Sequence, residues 1–245
     1  MAIEYKNLLE NLIHELTIIN SMIKQSADVL SKGTKGKIDH AAIVHHSEVI
    51  VENSYLFSTQ LDIVSYELNP KYIEDVENFG RRNLYGKFYK TILYFRRIAK
   101  KKNVKISISG DVKSLIDAKP VIDTLPMLIL DNAVKYSPSG SEIDIEFYED
   151  ESEVQVTVSN IGPYVSPKER KRIFERSFKS EESIKLKLPG LGLGLSFLKF
   201  ICDIHHAAVS VSCSDKTCKI NDIIYAEFKL TLTFPKNRPV QVSVR

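Results

Sequence analysis

From Leu9 to Leu30 the a and d positions of a heptad read Leu9, Leu12, Leu16, Ile19, Ile23, Ser26 and Leu30, six apolar residues in seven. A seam kept over three heptads predicts a long helix that packs along another helix. Leu8, Met22 and Val29 widen the stripe on one side, and Ile13 and Ala27 widen it on the other. Lys32, Gly33, Thr34, Lys35 and Gly36 then predict a break. A second helix is expected over 38–68, with apolar pairs at Ala42-Ile43, Val49-Ile50, Leu56-Phe57 and Ile63-Val64. Asn69-Pro70 ends it, because the proline ring disfavours helical backbone at the residue before it. Two helices with stripes this wide cannot cover both of them by pairing alone. Dimerisation into a four-helix bundle is the favoured remedy, and packing of the hairpin on the rest of its own chain is the alternative.

Near residue 103 the periodicity changes. Residues 104–109 (VKISIS) alternate as a strand, and 142–160 reads as a β-hairpin around an acidic turn at 149–152. Further strands are expected over 208–213 and 223–234, and helices near 86–101, 125–136, 167–174 and 195–205. The third of these helices opens with a capping box, Ser166 to Glu169, and a proline at its first position. The simplest assembly is α+β: four or five largely antiparallel strands with helices gathered on one face. The expected domains are a helical hairpin over 1–70, an α/β domain over 71–237 and a tail over 238–245.

Composition narrows the functional classes. The net charge of +3 is too small to argue for nucleic acid, and the clusters Arg81-Arg82, Arg96-Arg97 and Lys100 to Lys102 read as solvated faces. No apolar run approaches the roughly 18 residues of a membrane span, and the N-terminus lacks a signal-peptide pattern. Three cysteines, Cys202, Cys213 and Cys218, have no metal-ligand spacing and suit a reducing cytosol. Adjacent histidines do not share a helical face, so neither His45-His46 nor His205-His206 is assigned a metal.

Three stretches carry chemistry. In PGLGLGLSF, Gly190, Gly192 and Gly194 fit neither G-x-G-x-x-G nor a P-loop. Glycines do permit close backbone approach, and the following helix offers free N–H groups to a phosphate; a flexible loop or tight turn is the other reading. In LILDNAVKYSPSG, Asn132 and Lys135 are three apart and share a helical face. An amide oxygen suits Mg2+ and an ammonium suits phosphate, although the same pair also occurs on ordinary surface helices. In VTVSNIGPY, Asn160 could read a base edge and Gly162 could admit a ring, or the segment is a strand-ending turn.

In this order the three stretches resemble the N, G1, F and G2 boxes of the GHKL superfamily of ATP-binding domains, which includes gyrase-type, Hsp90-type, MutL-type and histidine-kinase proteins. DNAVKYS, IFERSF and GLGLGLSFLKFICDIHH, ending at His205, look like the histidine-kinase branch, and the resemblance covers about 71–235. It implies an α/β sandwich that binds ATP and Mg2+ under a flexible lid. Carried over residue by residue, Asn132 would hold Mg2+, while Lys135 and Tyr136 would line the nucleotide site. Asn160 and Gly162 would lie in the adenine-reading G1 box, and Gly190, Gly192 and Gly194 would bring the lid backbone to the phosphates. Lys179, where the family usually has arginine, would be a further phosphate contact, and 180–189 would be the mobile lid.

A histidine kinase also needs a phosphoacceptor on its dimerising hairpin. His14-Glu15-Leu16 resembles the start of the family's H-box. The heptad agrees independently, since His14 falls at position f with Asn7, Ser21 and Asp28, opposite the apolar seam; a plain solvent histidine would sit there too. A neutral imidazole nitrogen at His14 would attack the γ-phosphorus, with Glu15 taking the proton or orienting the ring. The phosphoryl group would then pass to an aspartate on a response-regulator receiver domain. Several residues depart from the family pattern. Leu128 replaces a polar residue four positions before Asn132, Asn160 replaces the usual aspartate and Tyr164 the second glycine of the G1 box. Thr17-Ile18-Ile19 stand where Arg-Thr-Pro is usual. The favoured function is an ATP-dependent, homodimeric, cytoplasmic histidine kinase. The alternatives are a kinase-like scaffold that binds nucleotide without transferring phosphate, and a gyrase-type ATPase clamp, for which the catalytic glutamate is missing.

Overall fold

The computed structural model describes residues 2–33, 39–76, 78–110 and 112–237. The expected break at 34–36, the helix start at 38 and the tail over 238–245 lie outside them. The chain divides into two compact units, Met1–Pro70 and Lys71–Arg245.

The first unit is an α-hairpin of α1 (Ala2–Gly33) and α2 (His40–Leu68). Leu12 and Ser26 of the heptad column are buried, and Leu16, Ile19, Ile23 and Leu30 are half-buried. The one polar member of that column has a partner: the Ser26 hydroxyl lies 3.3 Å from Nδ1 of His46 on α2. His14 is exposed, in keeping with its place away from the seam. Many apolar side chains flanking the seam stay in solvent, among them Ile13, Met22 and Val29 on α1 and Val44, Val51 and Leu61 on α2.

The second unit is a two-layer α/β sandwich. A five-stranded sheet runs in the order β2 (Lys105–Ser109), β4 (Glu142–Glu149), β5 (Glu153–Pro163), β7 (Ile223–Pro235), β6 (Ala208–Ile220). Only β2 and β4 pair in parallel; the other three pairs are antiparallel. Alternation places Ile143, Ile145 and Phe147, Val154, Val156 and Val158, and Leu230, Leu232 and Phe234 on one buried face. On the open face, Thr157 and Thr231 sit cross-strand with their hydroxyls 3.1 Å apart.

Three helices cover the buried face: α4 (Leu84–Lys101), α5 (Leu125–Tyr136) and α8 (Gly194–Ile204). Asn83 caps α4 by accepting from the Gly86 amide at 2.7 Å, and Phe88 meets Phe147 edge-on at 5.4 Å between ring centroids. On α5, Pro126 sits in the first turn, where its missing N–H costs nothing, and Pro138 follows just past the C-cap residue Ser137. The end of α5 is held by Lys102, whose ammonium donates to the carbonyls of Val134 (2.8 Å) and Lys135 (2.7 Å). A cation here also suits the negative end of the helix dipole.

Some elements differ from the sequence expectation. A small sheet pairs β1 (Gly80–Arg82) with β3 (Ile116–Ala118), and short helices α3 (Pro70–Val76) and α7 (Glu181–Lys185) appear. The helix expected over 167–174 keeps its capping box but ends early, as α6 (Pro167–Arg170). The strand expected over 208–213 runs on to Ile220 through an irregularity between Cys213 and Thr217, where the polar stretch hides its periodicity.

Candidate functional site

α5 presents Leu128, Asp131, Asn132 and Lys135 at i, i+3, i+4 and i+7, so all four lie along one face. The glycine loop lies against that face. The Lys135 ammonium donates to the Pro189 carbonyl and sits 5.5 Å above the Tyr136 ring. A Cβ on Gly190 would come within 2.6 Å of that ammonium nitrogen. At the start of α8, a Cβ on Gly194 would lie 3.6 Å from Nδ2 of Asn132 and 3.8 Å from a Leu128 methyl. Gly192 has φ +73°, and a Cβ there would stand 2.8 Å from the Phe178 carbonyl oxygen, so both conformation and space require glycine. Leu193 is buried, and Leu195 packs against the cluster of Val165, Ile173, Cys213 and Ala226, which pins the loop on its apolar side.

Asn160 stands at the other end of the cleft, where β5 passes the end of α5. It is buried, and its Nδ2 donates to Ser137 Oγ at 3.2 Å and to the Ile161 carbonyl at 2.9 Å. With both amide protons committed, its Oδ1 remains as an acceptor, the role a carboxylate would have there. A Cβ on Gly162 would press to 3.3 Å from that amide nitrogen. Burial, and then the Asp131 carboxylate, raise the Tyr136 phenol, which keeps it protonated and able to donate at neutral pH.

The segment over 180–189 is half anchored. Ser180 caps α7, and the buried Glu182 carboxylate accepts from the Ile224 amide of β7 at 2.9 Å and pairs with Lys185. Glu169, the capping-box residue of α6, accepts from the Glu181 amide at 2.8 Å. These ties hold the first half of the segment, and its far end meets Lys135 through the Pro189 carbonyl. Lys179 is half-buried just before this cap and makes no hydrogen bond or ion pair among the described residues. It directly follows Phe178, whose carbonyl lies against Gly192 of the glycine loop.

His205 has a definite role that its motif did not disclose. Its Nδ1–H donates to the Ile201 carbonyl at 2.6 Å, and its Nε2 accepts from the Lys119 amide at 2.9 Å. Burial pulls its pKa down to about 4, so the ring is neutral and in one tautomer at pH 7. It fastens the end of α8 to the loop after β3. The Ile201 carbonyl is one helical turn back on α8, but sequence spacing gave no sign of Lys119, which lies 86 residues away.

Among the described residues no group of three His, Cys, Asp or Glu is gathered to hold a metal ion. Asn132, whose amide lies beside Gly194, could offer its oxygen to a hard cation, and a bound Mg2+ would draw further ligands from phosphate oxygens and water. The close backbone approach at Gly190 and Gly192, the ammonium of Lys135 and the acceptor of Asn160 fit a nucleotide with its phosphates at the loop.

A two-layer sandwich that sets a glycine loop against Asn132 and Lys135 is suited to hold a nucleotide. Residues 127–237 match the family described as histidine kinase-, DNA gyrase B- and HSP90-like ATPase. The chain is 25% identical over 207 residues to the sensor histidine kinase CusS of Escherichia coli O6:H1, covering 84% of this chain and 42% of that protein. It is 27% identical over 218 residues to the histidine protein kinase SaeS of Staphylococcus aureus (strain USA300), covering 85% and 60%. The chain thus spans about half the length of these curated relatives. In fold, it is similar to the catalytic domain of histidine kinase ThkA (TM-score 0.53, 21% identity, 65% of this chain and 99% of that one). It is also similar to full-length ShkA in complex with AMPPNP (TM-score 0.53, 18% identity, 96% and 47%). Residues 127–237 thus match that ATPase family, and the similarity to sensor histidine kinases extends over most of this chain. No described helix is long and apolar enough to cross a membrane.

Proposed function

We propose that this chain is an ATP-dependent protein-histidine kinase that phosphorylates its own His14 and passes the phosphoryl group to an aspartate of a response-regulator receiver domain. The observation that carries the reading is the apposition of Asn132 and Lys135 on α5 to the backbone of Pro189, Gly190 and Gly194. The proposal places the chain in the cytoplasm, as a homodimer joined through the α1–α2 hairpin. A ThkA structure that includes the response regulator TrrA, similar in fold to this chain (TM-score 0.50, 18% identity), supports the partner class.

Each residue has a stated task. Lys135 would exchange the Pro189 carbonyl for a phosphate oxygen, and the glycine loop would offer its N–H groups to the same anion. Asn160 Oδ1 would accept from the amino group of adenine. Asn132 would place Mg2+, which supplies charge neutralisation on the phosphates. Lys179, next to the Phe178 carbonyl that meets Gly192, would be a further phosphate contact. A ring nitrogen of exposed His14 would attack the γ-phosphorus; the N–P bond forms as the bridging P–O bond breaks and ADP leaves. The proton on the other ring nitrogen would pass to Glu15 or to water.

A second reading, a nucleotide-binding dimerisation scaffold that transfers nothing, rests on Leu128, whose methyl occupies the space beside Gly194 that a polar side chain would otherwise hold. Incubation with γ-labelled ATP and Mg2+ separates the two. The kinase reading expects acid-labile, alkali-stable label in the wild-type chain and a fall to background in His14→Ala. Label that persists in His14→Ala, or wild-type protein that binds ATP without labelling, rejects it.

A further inference from the structure

The overall charge of +3 conceals a sharp segregation. Between Gly80 and Gly110 the chain has ten lysines and arginines and no acidic residue, so the remainder is net acidic. Most of this segment is α4, whose inward stripe of Leu84, Phe88, Ile92, Phe95 and Ala99 is buried in the core. Arg82 and Lys87, at one side, are neutralised by Asp123.

The outward face is different. At 100° per residue, Tyr85, Tyr89 and Leu93 run along one flank of it with Arg96 and Lys100 continuing their row, and Lys90, Arg97 and Lys101 lie toward its middle. Tyr85 and Tyr89 stack at 6.5 Å with 17° between their planes, and Tyr85 is braced edge-on by the core ring of Phe147. Tyr89 and Leu93 are each 45% exposed. Lys90, Arg96, Lys100 and Lys101 are exposed and have no acidic partner among the described residues. On the open face of the sheet, away from α4, β4 presents Glu142, Asp144 and Glu146. One side of the unit is therefore cationic with an apolar row along its flank, and the other carries acids.

We propose that the outer face of α4 is a docking surface for an anionic phospholipid bilayer. Tyr89 and Leu93 enter the interfacial layer, and Lys90, Arg96, Lys100 and Lys101 reach headgroup phosphates along their aliphatic stems. The chemistry selects a membrane over other polyanions. Nucleic acid would be held by the charges alone and leaves the apolar row without a use. An acidic peptide needs a groove to fix it, whereas a helix face is convex. A flat anionic interface takes up the row and the cations together. This proposal is independent of the transfer reaction.

The test is sedimentation of the chain with phosphatidylcholine vesicles, with and without phosphatidylglycerol. Binding is expected only with the anionic lipid, weakening as salt rises. Each surface cation contributes about fivefold to partition, so Lys90→Glu, Arg96→Glu and Lys100→Glu together should cut it at least about a hundredfold. Leu93→Ser alone should cut it several-fold, with nucleotide affinity unchanged in both variants. Wild-type protein that ignores anionic vesicles, or a triple variant that binds them as well as wild type, overturns the proposal. Capture by DNA or a polyglutamate peptide without vesicle binding overturns it equally.

Discussion

The two units solve the burial problem in opposite ways. In the α/β unit the apolar residues of the inner sheet face are covered by helices, and the large side chains Phe88, Phe197 and Phe234 are fully enclosed. In the hairpin the apolar stripe is wider than one partner helix can cover, and Met22 (48%) and Val29 (37%), seven residues apart, remain in solvent. The α/β unit is closed on itself, whereas the hairpin leaves apolar surface that the proposed dimer would cover.

The strongest way to break that contrast is inside the closed unit. Phe88→Ala should cost roughly 3–5 kcal/mol, because the cavity beside Phe147 cannot collapse. Urea unfolding should show the loss in the α/β unit while the oligomeric state is unchanged. The complementary attack is on the open unit: Met22→Glu with Val29→Glu should weaken self-association about a hundredfold by placing charge in an apolar contact. Sedimentation equilibrium would show it, and unchanged nucleotide affinity would confirm that the two units are energetically separate. Equal self-association in wild type and variant would show that this column is not the dimer seam.

A smaller effect should come from His205. Its folded pKa of about 4 lies below the unfolded value near 6.5, so the unfolded state binds the extra proton between them. The contribution is full above pH 6.5 and is lost as pH falls toward 4. At pH 5 the α/β unit should be less stable than at pH 7 by about 2 kcal/mol. His205→Phe, though weaker at neutral pH, should lose that part of the slope; an unchanged slope would assign it to other groups.

Strong local pattern made much of this legible in the sequence. The heptad column, the alternating β4–β5 hairpin and the capping box at Ser166 each specify structure within a few residues, and each was readable. The pair β1–β3 was not, because three residues are too few to show a period and their partners are 34 to 38 apart in sequence. The parallel pairing of β2 with β4 was equally hidden, since alternation reveals a strand and not its neighbour. At the site, the glycine spacing and the i, i+3 relation of Asn132 and Lys135 were visible because both are local. The contacts that complete it were not: Asn160 with Ser137, Glu182 with Ile224, and His205 with Lys119 each span more than twenty residues.

The hydroxyl–imidazole pair between Ser26 and His46 has a consequence for the geometry of the first unit. Repeating apolar seams are nearly indifferent to a slide of seven residues, which preserves every greasy contact. Such a slide would set the His46 ring against Ile19 or Gly33 and strand both polar groups. One modest contact thereby works as an alignment key for two long rods, and it fixes the level along the second rod at which His14 stands.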